Sequence, residues 1–151
     1  MTGDLELLDE LLNLGYSIDA QNEWKHKSWA PWALDSICVG VHKLQGDRSG
    51  NLVESLSVGQ GSTALMIAAF SGQVIAVRRL LAAKADITKK NIQGRTALHL
   101  AASKGHDLNV EALLASGAAV DELDKKGMTA AMLARRRGHF EVEQRLLAAG
   151  G

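Results

Sequence analysis

Gly94-Arg95-Thr96-Ala97-Leu98-His99-Leu100-Ala101-Ala102 decides the fold of this chain, because it is written three times over. Gly61-Ser62-Thr63-Ala64-Leu65-Met66-Ile67-Ala68-Ala69 aligns with it upstream, and Gly127-Met128-Thr129-Ala130-Ala131-Met132-Leu133-Ala134-Arg135 aligns downstream. Thr63, Thr96 and Thr129 stand 33 residues apart. The same interval separates Gly72, Gly105 and Gly138, and the pairs Leu80-Leu81, Leu113-Leu114 and Leu146-Leu147. A fixed period of this length marks a stack of units, each burying its apolar face against its neighbours.

Each recurring residue type has a physical reason. Threonine before an apolar run satisfies orphan backbone N–H groups at a helix start. Leu65, Leu98 and the small Ala68, Ala69, Ala101 and Ala102 allow close packing of successive first helices. Gly72, Gly105 and Gly138 suit the left-handed turn that ends those helices. The leucine pairs are expected to fill the layer between second helices. Gly117-Ala118 closes a second helix, and Lys84-Ala85 stands in the matching place, which predicts a non-glycine residue in an awkward turn.

The period and the pattern Gly-x-Thr-x-Leu-His-x-Ala-Ala resemble the ankyrin repeat, a turn followed by two antiparallel helices. The resemblance is strongest over residues 61–151. Ala64, Ala97 and Ala130 replace the proline usual after the threonine, at some cost in rigidity. It implies an all-α ankyrin-repeat solenoid with short β-hairpin-like turns, forming a single domain over 1–151. Regular repeats are expected at 61–91, 92–124 and 125–151, after a partial repeat at 1–22 and a degenerate repeat with an insertion at 23–60.

The early repeats are read from weaker signals. Residues 3–15 are leucine-rich and match a second helix, with Leu11-Leu12 aligned to Leu80-Leu81. Ala30-Pro31-Trp32-Ala33-Leu34 sits one period before Thr63-Ala64-Leu65-Met66-Ile67, and Pro31 suits a first helical turn. Asp47-Arg48 falls where a leucine pair is due, so the second helix there is degenerate. The chain is expected to begin midway through a repeat, its exposed edge covered by another chain or by residues upstream. At the other end, Arg135-Arg136-Arg137, Glu141, Glu143, Gln144 and Arg145 give the last repeat the polar outer face of a cap.

Composition excludes several classes. Apolar residues make up 46% of the chain and charged residues 23%, ordinary for a globular protein. No apolar run is long enough to span a bilayer, so no membrane insertion is expected. A single cysteine, Cys38, forms no intrachain disulfide, which points to a reducing compartment inside the cell: the cytoplasm by default, or an organelle if a targeting segment has been removed. Net charge is zero but uneven. Residues 1–60 hold nine Asp/Glu against four Lys/Arg; residues 61–151 hold eight against thirteen.

No catalytic constellation emerges, and the chain is not read as an enzyme. His99, His106 and His139 occupy positions where the resemblance implies structural hydrogen bonds. His26 and His42 have no ligand-spaced partners, so no metal is expected. Gly59-Gln60-Gly61-Ser62-Thr63 precedes a helix, but the repeat already explains Gly61 and Thr63, so it is not a phosphate loop. Asp121, Glu122 and Asp124 read as a solvated turn. No cofactor and no small-molecule substrate are expected.

The surface residues carry the functional reading. The resemblance implies that turn tips and first-helix ends line one concave face. That places Ile92, Gln93, Arg95 and Lys104 beside Lys125, Lys126, Met128, Arg136 and Arg137, with Phe70 continuing the surface. A basic surface beside aromatic anchors suits an acidic or mixed protein segment, the alternative being a solvated basic rim. Trp24 and Trp29 lie in the lengthened turn and are expected as anchors for a partner, or else pack that turn onto the degenerate repeat. The resulting expectation is a protein–protein interaction module, a small accessory or scaffold subunit whose partner covers the N-terminal edge or the concave face. A free regulatory inhibitor of an enzyme is the alternative in the same class. Nucleic-acid binding through the basic half is the less favoured alternative.

Overall fold

Thr63, Thr96 and Thr129 each stand in extended backbone immediately before a helix. Thr63 Oγ1 accepts the N–H of Met66 at 3.3 Å, and Thr129 Oγ1 accepts that of Met132 at 3.2 Å. These side chains satisfy donors that the first helical turn leaves unpaired. The computed structural model describes residues 61–150, together with Asn13 and Asp19. The other residues of the expected early repeats, with Trp24, Trp29, Trp32 and Cys38, lie outside the described residues.

Six helices are present among the described residues. They form three hairpins: α1 (Ala64–Phe70) with α2 (Val74–Ala82), α3 (Ala97–Lys104) with α4 (Asp107–Ala115), and α5 (Ala130–Arg137) with α6 (Phe140–Gly150). The first helices α1, α3 and α5 pack side by side in one layer, and α2, α4 and α6 in a second. Ala68, Ala69, Ala101, Ala102 and Ala134 are fully buried, and their small side chains permit that close approach. Leu80, Leu113 and Leu146 fill the core between layers.

The second leucine of each pair behaves differently from expectation. Leu81 and Leu114 are partly buried, while Leu147 is 53% exposed. Leu81 shares a groove with Glu111 and Ala112 of the following hairpin, and among the described residues no hairpin follows α6.

Helix ends obey the left-handed rule in two forms. Gly105 ends α3 at φ 74°, with His106 N–H reaching Ala101 O at 3.1 Å. Lys84 adopts φ 67° after α2, where Gly117 takes φ 86° after α4. Ala85 N–H bonds Leu80 O and Ala118 N–H bonds Leu113 O, both at 3.0 Å, so lysine is held in glycine's turn.

Outer and inner faces differ at two register positions. Ala69 and Ala102 give way to Arg135, and Val77 and Val110 give way to Glu143. Arg135 Nε and Glu143 Oε1 pair at 3.7 Å across α5 and α6. An ion pair thus stands where the inner repeats place apolar atoms, the polar face that the sequence of the last repeat suggested. At the first described hairpin, Asp86 N–H donates to Asp19 Oδ1 at 2.7 Å.

Candidate functional site

The turn tips are organised by two buried side chains one period apart. Asn91 Oδ1 accepts the N–H groups of Gln93 and Arg95, both at 3.0 Å. Asp124 Oδ1 accepts those of Lys126 at 2.8 Å and Met128 at 3.0 Å. Asn91 N–H donates to Arg95 O and Asp124 N–H to Met128 O, both at 3.0 Å, closing hairpin-like loops. No strand forms among the described residues. Lys125 N–H donates to Gln93 O at 3.0 Å, which joins one tip to the next.

Asp124 corrects the sequence reading. It is buried rather than solvated, because its carboxylate is the hub of the turn. Burial pushes its pKa up, but the N–H groups of Met128 and Lys126 and the Arg95 guanidinium outweigh that and hold it below the usual carboxylate range. Arg95 is corrected with it. Its Nε lies 3.2 Å from Asp124 Oδ2, and its side chain is only 17% exposed, so it locks the joint between tips instead of facing outward. Glu122 pairs with Lys90 at 2.6 Å, which lowers its pKa, and Asp121 of the acidic trio is exposed.

The histidines tie neighbouring hairpins. His99 Nδ1 accepts Thr96 N–H at 3.3 Å, so the ring proton sits on Nε2, which donates to Met128 O at 3.2 Å. Burial lowers the His99 pKa against the opposing pull of the Met128 carbonyl and Asp124. His106 Nε2 meets Phe70 O at 3.0 Å, and burial lowers its pKa as well. The His139 ring rests against Gly105, close enough that a Cβ there would stand 2.5 Å from Nδ1. Asn109, buried where the other repeats place Ala76 and Val142, donates through Nδ2 to Ala69 O at 3.2 Å and ties α4 to the end of α1.

Phe70 is a further correction. It is 8% exposed and belongs to the core, so its ring is not a surface anchor. Lys104 Nζ, from the next hairpin, lies 4.4 Å from the ring centroid and covers it. Gln93 and Met128 are half-buried at the joint between tips.

The remaining residues form the exposed part of the surface. Ile92 is 52% exposed on its tip, directly before the Gln93 carbonyl that holds Lys125. Lys125, Lys126, Arg136 and Arg137 are exposed, and no carboxylate among the described residues lies within ion-pair distance of them. Arg145, in contrast, forks onto Asp107 at 2.6 Å and 2.7 Å, binding α6 to α4 on the other layer. A shallow groove between α2 and α4, lined by Arg78, Leu81, Glu111, Ala112 and Ser116, lies on that second layer. Trp24 and Trp29 lie outside the described residues.

This arrangement sets exposed cations and one exposed apolar side chain, Ile92, on the tips and helix ends of the described repeats. Among the described residues, no group of three or more His, Cys, Asp or Glu is placed to hold a metal. No described helix is long and apolar enough to cross a membrane. The family described as ankyrin repeats (3 copies) matches residues 41–124 and 65–151, more than half of the chain. No curated protein matches the chain.

Proposed function

The chain belongs to the ankyrin-repeat family, whose members generally serve as protein–protein interaction modules, and from that premise we propose that it binds a partner protein through its concave face and turn tips. One observation carries the reading. Lys125, Lys126, Arg136 and Arg137 are exposed without described carboxylate partners, and the tip that carries Lys125 is fixed by its N–H on Gln93 O of the neighbouring repeat. A tip backbone already held in place loses little freedom on binding, so only the side chains have to be ordered, which favours recognition over a solvated rim. Trp24 and Trp29 belong to the same proposal as anchors from the irregular N-terminal part.

A photoreactive phenylalanine analogue at position 92 tests the surface. The expected result is a crosslinked partner protein from position 92 and none from position 108 on the opposite layer, where Leu108 is 58% exposed. Equal crosslinking from both positions would overturn the assignment of the face. Native mass measurement separates the two versions within this class. A stable complex at fixed stoichiometry supports an accessory subunit, and a free monomer supports a regulatory inhibitor.

A further inference from the structure

We infer that the partner presents an acidic, extended polypeptide segment to the last described repeat, with carboxylates against Lys125-Lys126 at one end of α5 and Arg136-Arg137 at the other. This inference rests on the interaction reading above and specifies the chemistry of the partner. Lys125-Lys126 lie on the turn before α5, and Arg136-Arg137 are the last two residues of that helix of 8 residues. At 1.5 Å per residue, the stretch from Ala130 to Arg136 covers about 9 Å, and residues 127–129 of the turn add to the separation. An extended chain rises about 3.3 Å per residue, so it needs at least about three residues to match the helical stretch alone. The matching segment therefore carries two acidic clusters at least about four residues apart. Ile92, exposed on the adjacent tip, supplies an apolar contact beside the Lys125 end.

The same observations favour polypeptide over nucleic acid. Counterion-release binding gains with each phosphate that a Lys or Arg neutralises, and a carboxylate in the path opposes it. Here Asp121 is exposed and Glu122 is half-buried just before the cationic tip, with Glu122 already engaged by Lys90. A phosphate chain crossing the tips would meet those carboxylates. A peptide with spaced acidic clusters avoids them and uses Ile92, for which a phosphate backbone has no counterpart.

The test is fluorescence anisotropy with the full chain and a fluorescein-labelled peptide of about a dozen residues, bearing two Glu-Glu clusters about four residues apart with a leucine between. Binding is expected to weaken about tenfold with Lys125→Glu/Lys126→Glu and about tenfold with Arg136→Glu/Arg137→Glu. A matching peptide with Lys-Lys clusters is expected to bind the reversed variants better than the original. These side chains are exposed, so thermal unfolding should be unchanged, and neutral Gln variants serve as a second set with smaller losses. Equal binding of a peptide with Gln in place of Glu would overturn the inference. So would tighter binding of a single-stranded oligonucleotide of equal charge. If crosslinking from position 92 still captures a partner while the acidic peptide fails, the interaction surface stands and its acidic chemistry falls.

Discussion

The middle repeat and the last repeat share one scaffold and differ in what they do with it. Thr96 and Thr129 start their first helices, and Gly105 and Gly138 end them in the same left-handed turn. Yet Ala102 is fully buried while its counterpart Arg135 is 75% exposed, and Val110 is fully buried while its counterpart is Glu143. His99 bridges to the next tip, while its counterpart Met132 is exposed. Positions that hold one repeat's own helices together stay constant. Positions that face a neighbour change with the neighbour.

Exchanging the two solutions should give the largest effect. Ala102→Arg buries a charge between α3 and α5 without a partner and is expected to cost more than about 4 kcal/mol. Arg135→Ala removes the exposed partner of the largely buried Glu143 and should cost about 1–2 kcal/mol. Chemical denaturation of both variants checks the contrast, and equal losses would break it. Leu113→Ala empties a core position and should cost about 2–5 kcal/mol in the same measurement. A wild-type midpoint would mean that the repeat register is wrong.

Gly105 and Gly138 offer a finer comparison. Both have positive φ, so Gly→Val strains either one, at more than about 1 kcal/mol. Only at Gly105 does the added side chain also meet a neighbour, the His139 ring; a Cβ at Gly138 meets nothing within 4 Å. Gly105→Val is therefore expected to lower the melting temperature more than Gly138→Val.

The smallest predicted effect concerns acid. His99 has a folded pKa below its ordinary 6.5, so the unfolded chain binds its proton first. Stability from this group is complete above about pH 6.5 and is lost as the pH falls toward the lowered value. His99→Met, which copies Met66 and Met132, should flatten stability between neutral and mildly acidic pH, with His106 keeping part of the slope. An unchanged slope in melts across that range would place the titration elsewhere.

The fold was legible because its determinants recur at one interval: the threonines, the glycines and the first leucine of each pair. Even Lys84 in a glycine's turn followed from register alone. The surface was less legible, because its fate depends on residues about one repeat away. Arg95 is held by Asp124, 29 residues on, and Phe70 is covered by Lys104 from the following hairpin. Nothing in a helical period reveals such contacts. Asp124 did carry a signal: Asn91-x-x-Gly94 and Asp124-x-x-Gly127 repeat the same turn spacing, and that equivalence marks the acid as a structural hub. Trp24 and Trp29 stand in the stretch where the period fails, so register gave them no position.

The joints described between hairpins all connect immediate neighbours: His106 to Phe70, Asn109 to Ala69, Lys125 to Gln93, Arg95 to Asp124, Arg145 to Asp107. Under a pull along the stack, such joints carry the load in series, like links in a chain. Each would give way without first releasing the others, so a partner that tugs on one end would meet a yielding spring before a rigid rod.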